Sequence, residues 1–170
     1  MQKMKKSNTK KTERQALLEL ADLCSKSEQC CHDMLTKMQR WQLTEEEQAR
    51  IMQYLTENKF IDETRYTRAF VNDKITYSKW GRRKIEQALW IKHIPKEIQN
   101  GVLDGISDSK YLTILRQLIK SKKRSIKANS DYERRAKLIR FALERGYTMD
   151  IIRQCVDDSE LEYLADEDDC

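Results

Sequence analysis

The sequence predicts an all-α chain, a tandem array of three three-helix repeats. The first observation behind this is a phrase that recurs. Leu43-Thr44-Glu45-Glu46 leads to Ile51, Tyr54 and Leu55; Ile94-Pro95-Lys96-Glu97-Ile98 leads to Val102 and Leu103; Tyr147-Thr148-Met149-Asp150-Ile151 leads to Cys155 and Val156. The anchors Thr44, Pro95 and Thr148 lie 51 and 53 residues apart, and a period of that length made of helices marks a stacked array. The second is that four Gly and one Pro in 170 residues leave little punctuation for a β protein. The third is apolar spacing of helical period along the chain.

Each element follows from local chemistry. Residues 1–12 read as a disordered basic arm, with Lys3, Lys5, Lys6, Lys10 and Lys11 ahead of the first acidic residue, Glu13. Thr12 and Gln15 form a capping box opening a first helix through Ala16, Leu17, Leu20, Ala21 and Leu23. Ser25 and Glu28 have the same spacing and are expected to open a second, through Met34, Leu35 and Met38 to about Trp41. Thr44 with Glu47 opens the third, and Asp62 caps a fourth with Tyr66, Ala69 and Phe70 facing inward. A fifth helix is expected from about Trp80 to Lys92 and a sixth from Pro95, which suits a first helical turn, to about Leu103. The seventh carries Leu112, Leu115, Leu118 and Ile119; residues 123–130 follow as a basic loop. Ser130 with Glu133 opens the eighth, with Tyr132, Ala136, Ile139 and Leu143 as its apolar stripe, and Gly146 ends it in a left-handed cap. Thr148 starts a short ninth. The repeats are drawn at 13–61, 62–106 and 107–156, with an acidic tail at 157–170.

The net charge of +5 conceals a polarity. The tail holds eight acidic residues and no Lys or Arg; without it 33 basic residues face 20 acidic ones, a body of +13. Such a body suggests a polyanionic partner, with a tail that could mask it. Between positions 110 and 140 eleven basic residues meet only Asp131 and Glu133, a local +9. The candidate contacts for DNA or filament are Lys120, Lys122, Lys123, Arg124, Lys127, Arg134, Lys137 and Arg140, joined by a second patch of Lys79, Arg82 and Arg83 on the fifth helix. Arg82 and Arg83 are expected to be exposed. Trp41 and Trp90 follow core positions near helix ends and are expected to pack between repeats.

Enzymatic readings find little support. There is no Gly-x-x-x-x-Gly-Lys-Ser/Thr loop to cradle phosphates, and His32 and His93 sit in no nucleophile or metalloprotease motif. Cys24, Cys30, Cys31 and His32 have poor spacing for zinc, and Cys24 and Cys31 read as small buried hydrophobes. No cofactor or metal is expected. Five Cys, no secretory signal and no apolar run long enough to span a bilayer point to reduced thiols in the cytoplasm.

Phe60-Ile61-Asp62-Glu63-Thr64-Arg65-Tyr66, then Trp80-Gly81-Arg82-Arg83-Lys84-Ile85 with Ala88-Leu89, then Ile94-Pro95-Lys96-Glu97-Ile98 resemble the middle repeat of the RecX family, bacterial regulators of the RecA recombinase. Ser25-Lys26-Ser27-Glu28 resembles its first-repeat start, and the resemblance covers about residues 14–156. His93 stands where the family usually has Gly, Cys30-Cys31 replace a usual Glu-Leu, and Thr67 takes a common Ala position. The resemblance implies an elongated, curved arrangement of the three modules that lodges in the groove of the RecA–DNA filament and curbs its ATPase, strand-exchange and co-protease activities, and the chain is expected to act as a monomer. Single- and double-stranded DNA would be secondary, sequence-independent ligands, and a membrane is not expected to be a partner. The alternative is a stand-alone, sequence-independent DNA-binding helical protein.

Overall fold

The computed structural model describes residues 9–156. Eight helices lie wholly within them: α1 (Glu13–Lys26), α2 (Cys31–Arg40), α3 (Glu45–Glu57), α4 (Glu63–Thr76), α5 (Arg82–Ile91), α6 (Lys96–Leu103), α7 (Asp108–Lys123) and α8 (Asp131–Glu144). Residues 149–156 are helical up to the last described position and are called α9. No strand occurs among the described residues. Residues 1–8 of the N-terminal arm and the whole acidic tail lie outside them. Lys11, within them, donates its backbone N–H to the Trp41 carbonyl and pairs with Glu19.

The repeated phrase has a structural counterpart in a repeated turn. Gln42, His93 and Gly146 each take positive φ, at 60°, 56° and 89°. The next residue's N–H reaches back to the preceding helix: Leu43 to Met38 O, Ile94 to Leu89 O and Tyr147 to Ala142 O, at 3.1–3.2 Å. This six-to-one bond closes the orphan carbonyls at a helix end. Gln48 and Gln99, both buried, then donate to the carbonyls of Leu43 and Ile94 at 2.9 and 2.8 Å. The third repeat replaces that glutamine with buried Ile152. His93 therefore occupies a left-handed seat that glycine fills more cheaply.

Most caps form as the sequence predicts. Thr12 and Thr44 each make the reciprocal box with Gln15 and Glu47. Asp62 accepts from the Arg65 N–H at 2.9 Å and Ser130 from the Glu133 N–H at 3.1 Å. Ser25 and Glu28 do not make a box. Ser25 sits inside the last turn of α1 and donates to Asp22 O, while Glu28 pairs with Arg65. The second helix starts later, after Cys30, and its orphan N–H at Cys31 is satisfied by Glu63 Oε1, 2.9 Å away on α4.

Two inward faces also differ from expectation. On α4, Thr67 and Val71 are buried with Tyr66 and Ile75, while Ala69 is exposed. The Thr67 hydroxyl is satisfied within the helix, donating to Glu63 O at 2.6 Å, so a polar residue fits a position of no exposure. On α8 the buried line is Leu138 and Ala142. Tyr132 is 84% exposed, and Ala136 and Leu143 also face solvent; only Ile139 of the expected stripe is half-buried.

The apolar residues form two clusters. Ala16, Leu20, Met34, Met38, Leu43, Ile51, Leu55 and Ile61 close the first repeat on itself. A larger cluster runs from Tyr66 and Val71 through Leu89 and Leu103 to Leu115, Leu138 and Ile152, so the second and third repeats share one core. Between the clusters the seam is mostly polar: Glu28–Arg65 at 2.6 Å, Asp33–Lys92 at 2.8 Å and the His32 and His93 rings stacked 4.2 Å apart. Among the described residues that precede α2, Cys30 is the one buried side chain that joins the larger cluster.

Candidate polyanion-binding surface

The second and third repeats interlock through backbone at two glycines. Gly81 donates its N–H to Arg145 O at 2.8 Å, and the Arg83 N–H donates to Gly146 O at 3.0 Å. Tyr147 OH donates to Lys79 O at 2.9 Å and Arg145 to Ser78 O at 3.2 Å. A side chain at either glycine would have no room: a Cβ on Gly81 would lie 2.4 Å from Tyr147 N, and one on Gly146 2.3 Å from Lys84 Cβ. The start of α5 is thus seated on the α8–α9 turn, which fixes the cations of α5 relative to those of α7 and α8.

Two open grooves lie on either side of this junction's edge. One, of about 480 Å³, is lined by Arg83, Lys84, Gln87, Leu143, Glu144 and Tyr147. The other, of about 300 Å³, has Ile126 and Phe141 with Lys122, Lys127, Lys137 and Arg140 around them. Glu144 borders both, so the two grooves adjoin in a strip with cations on either side of that carboxylate, Arg83 and Lys84 from the second repeat and Lys122, Lys127, Lys137 and Arg140 from the third.

The residues singled out from the sequence fall into distinct environments. Arg83, Lys127 and Arg140 are exposed and line the strip; Lys120 and Arg124 are exposed nearby on and just after α7. Lys122 is half-buried, its ammonium 5.2 Å from the Phe141 ring centre. Lys137 is braced by Glu133 at 2.7 Å and by Lys127 O at 2.7 Å, and Arg134 by Asp131 at 2.8 Å. Lys123 is half-buried at the end of α7. Lys79 belongs to the junction itself, at φ 57°.

Arg82 is not exposed as expected. It is half-buried and donates to Asp104 at 2.6 Å and to Glu86 at 2.9 Å, tying α5 to the end of α6. The Asp104 carboxylate, then Glu86, hold its guanidinium above its ordinary value. Arg82→Glu would set a third carboxylate beside these two. It is expected to cost about 1 kcal/mol, more than a neutral surface change. Arg83→Glu should cost little, and thermal melts of the two variants make the comparison.

Sequence reasoning missed Lys84, whose stem lines the strip and whose ammonium sits 4.8 Å from the Trp80 ring centre. It also missed Ile126, which fell within the expected basic loop, and Phe141, to which it gave no role. A signal was available for Phe141, which stands three residues after Leu138 and next to Ala142 on α8. Neither tryptophan packs between repeats as expected: Trp90 is 74% exposed, and Trp41 is half-buried against the first repeat's own cluster. Arg83, Gln87 and Trp90 recur at i, i+4 and i+7 along the outer face of α5. The thiols of Cys24, Cys30 and Cys31 are all pushed upward by burial, Cys31 to about 12. Burial thus favours the protonated thiol at all three positions, the form that is the weaker nucleophile. No described helix is long and apolar enough to cross a membrane.

This fold has known counterparts. Residues 62–103 match the model of the second three-helix domain of RecX, and residues 109–156 that of the third. The chain belongs to the RecX family. The regulatory protein RecX of Clostridium botulinum (strain Alaska E43 / Type E3) is 32% identical over 114 residues, covering 66% of this chain and 53% of that protein. The RecX of Clostridium tetani is 28% identical over 106 residues, 61% of this chain and 48% of its own. The match therefore spans about half the length of these relatives. The crystal structure of RecX from Lactobacillus salivarius superposes with a TM-score of 0.80 at 17% identity, covering 88% of this chain and 97% of that one. A second RecX crystal structure gives 0.79 at 19% identity, over 85% and 73%. Both share the RecX fold of tandem three-helix domains with this chain, and the family is one of regulatory proteins.

Proposed function

We propose that this chain regulates the RecA–DNA filament, binding it and restraining its ATPase, strand-exchange and co-protease activities. One observation supports this most: the cationic strip runs across the junction of two repeats and is held rigid by backbone contacts at Gly81 and Gly146. A site for a small anion needs one enclosed pocket. A strip of spaced cations on a repeat array suits a polymer whose negative charge recurs along its length. Arg83, Lys84, Lys122, Lys127, Lys137 and Arg140 are the proposed contacts, with Lys120 and Arg124 beside them. DNA affinity is proposed as secondary and independent of sequence. A single chain is the proposed acting unit, since both apolar clusters close within one copy, and the cytoplasm, where DNA and recombinase meet, is the proposed place of action.

The test is ATP hydrolysis by RecA on single-stranded DNA with this protein titrated in. Hydrolysis is expected to fall as the protein is added, while the protein alone hydrolyses no ATP. If it binds naked DNA yet leaves filament ATPase and strand exchange untouched, the reading gives way to that of a stand-alone DNA-binding protein.

A further inference from the structure

We propose that, when no nucleic acid or partner is bound, the groove between α7 and α8 is occupied by this chain's own acidic segment, residues 157–170, which competes for it. The inference deepens the reading of that groove as a polyanion site and rests on it for its consequence, though not for the contact itself.

Three observations converge. The first is complementarity in both charge and apolar character. The groove sets Ile126 and Phe141 among Lys122, Lys127, Lys137 and Arg140. The segment carries eight carboxylates and no Lys or Arg, with Leu161, Tyr163 and Leu164 among the acids. A purely acidic polymer would match only the rim; this one can also cover the apolar groups. The second is where the chain leaves the described residues. At its end α9 lies on the first part of α7, with Cys155 Sγ 3.8 Å from Leu112 O. From Leu112, positions 116, 120 and 123 follow one face of α7 at i+4, i+8 and i+11, and carry Arg116, Lys120 and Lys123. That row ends beside Lys122, the residue of α7 that lines the groove. The third is reach. Leu112 to Lys123 spans about 16 Å at roughly 1.5 Å per helical residue. Leu161 to Leu164 follow Val156 by five to eight residues and extend to about 16–26 Å at roughly 3.3 Å each. The apolar part of the segment can therefore arrive where Ile126 and Phe141 are.

The consequence is regulation by displacement. A phosphate backbone must expel the segment before it gains the same cations, so affinity for weak or short polyanions is suppressed more than affinity for long, densely charged ones. The segment acts as a threshold.

Zero-length carbodiimide coupling of the full chain, followed by mass spectrometry, tests the contact without any DNA. Amide links are expected from the acids of 157–170 to Lys120, Lys122, Lys123, Lys127 or Lys137. They should be independent of protein concentration, be lost in about 1 M salt where screening acts within about 3 Å, and be reduced by a 20-base-pair duplex. Replacing the eight carboxylates by Asn and Gln in the full chain should raise affinity for that duplex about tenfold at low salt, with the gain vanishing at high salt. Links that are absent, that fall on lysines of α1–α3, or that form only between chains overturn the proposal, as does unchanged duplex affinity in the neutralised chain when the wild type binds DNA. If the links form but neither chain binds DNA, the self-contact stands and the polyanion reading of the groove fails.

Discussion

Gly81→Ala and Gly146→Ala are each expected to cost about 3 kcal/mol and to loosen the third repeat from the second. The estimate combines overpacking at about 1–3 kcal/mol with, at Gly146, about 1–2 kcal/mol for a side chain in the left-handed region it occupies. Two features put both sites at the upper end. A Cβ on Gly81 meets backbone of Tyr147 and Gly146 at 2.4–2.5 Å, and backbone cannot rotate away as a side chain would. Relief would require parting the hydrogen bonds Gly81–Arg145 and Arg83–Gly146, so the strain and the junction are one problem. Gly101→Ala is the control: nothing lies within 4 Å of its Cβ, and in the interior of α6 alanine should gain up to about 1 kcal/mol. Urea titration reads the midpoints. Equal stability of Gly81→Ala and wild type would mean that the two repeats are not locked at this point. Because the junction sets α5 against α8, the folded fraction of either variant should also bind DNA more weakly than its stability alone explains.

That junction shows what a single sequence can and cannot convey. The recurring Thr or Pro anchors were legible because each is a local event, a cap or a first turn, and Gly146 was legible as a helix end. That Gly146 must also admit Lys84 and Gly81 was not, since nothing local distinguishes a glycine kept for its φ from one kept for its lack of Cβ. The second helix failed for the same reason. Ser25 and Glu28 have the capping spacing, yet Glu28 is drawn to Arg65 and the true N-terminus at Cys31 is capped by Glu63 from another repeat. A nonlocal cap leaves no trace within its own helix.

The face of α8 is a subtler case. Tyr132, Ala136, Ile139 and Leu143 recur at good helical spacing, but the helix has so many charges that two stripes were available. The core selects Leu138 and Ala142, whose small and medium side chains fit against α7, and leaves Tyr132 in solvent. Among the basic residues, composition gave the region but not the division of labour. Arg82 serves the fold through Asp104 and Glu86, whereas Arg83, its neighbour, faces outward. Adjacent positions on a helix differ by about 100°, so one residue decides between structural ion pair and open surface.

Charge reversal within the strip, Lys127→Glu with Arg140→Glu, is expected to lower affinity for duplex DNA about a hundredfold at 0.1 M salt and to flatten its salt dependence. Both side chains are exposed and line the groove, so folding should be retained. Each phosphate that is no longer neutralised should take about 0.9 from the slope of log K against log salt. A wild-type slope of about −4 to −5, for roughly four to six neutralised phosphates, should thus fall to about −2.5. Arg40→Glu with Lys96→Glu is the matched control, with the same change in net charge at exposed positions outside the strip. It should slow association through weaker steering, yet keep the slope, because long-range attraction and released counterions are different quantities. Adding Arg83→Glu to the pair should flatten the slope further only if the two grooves act as one strip across the junction; no added effect would confine DNA to α7 and α8. Where the acidic segment competes for the groove, the reversal also abolishes that competition, so the measured fall in affinity understates the weakening of the DNA interface itself. If groove variant and control share one slope, the strip is not where DNA binds.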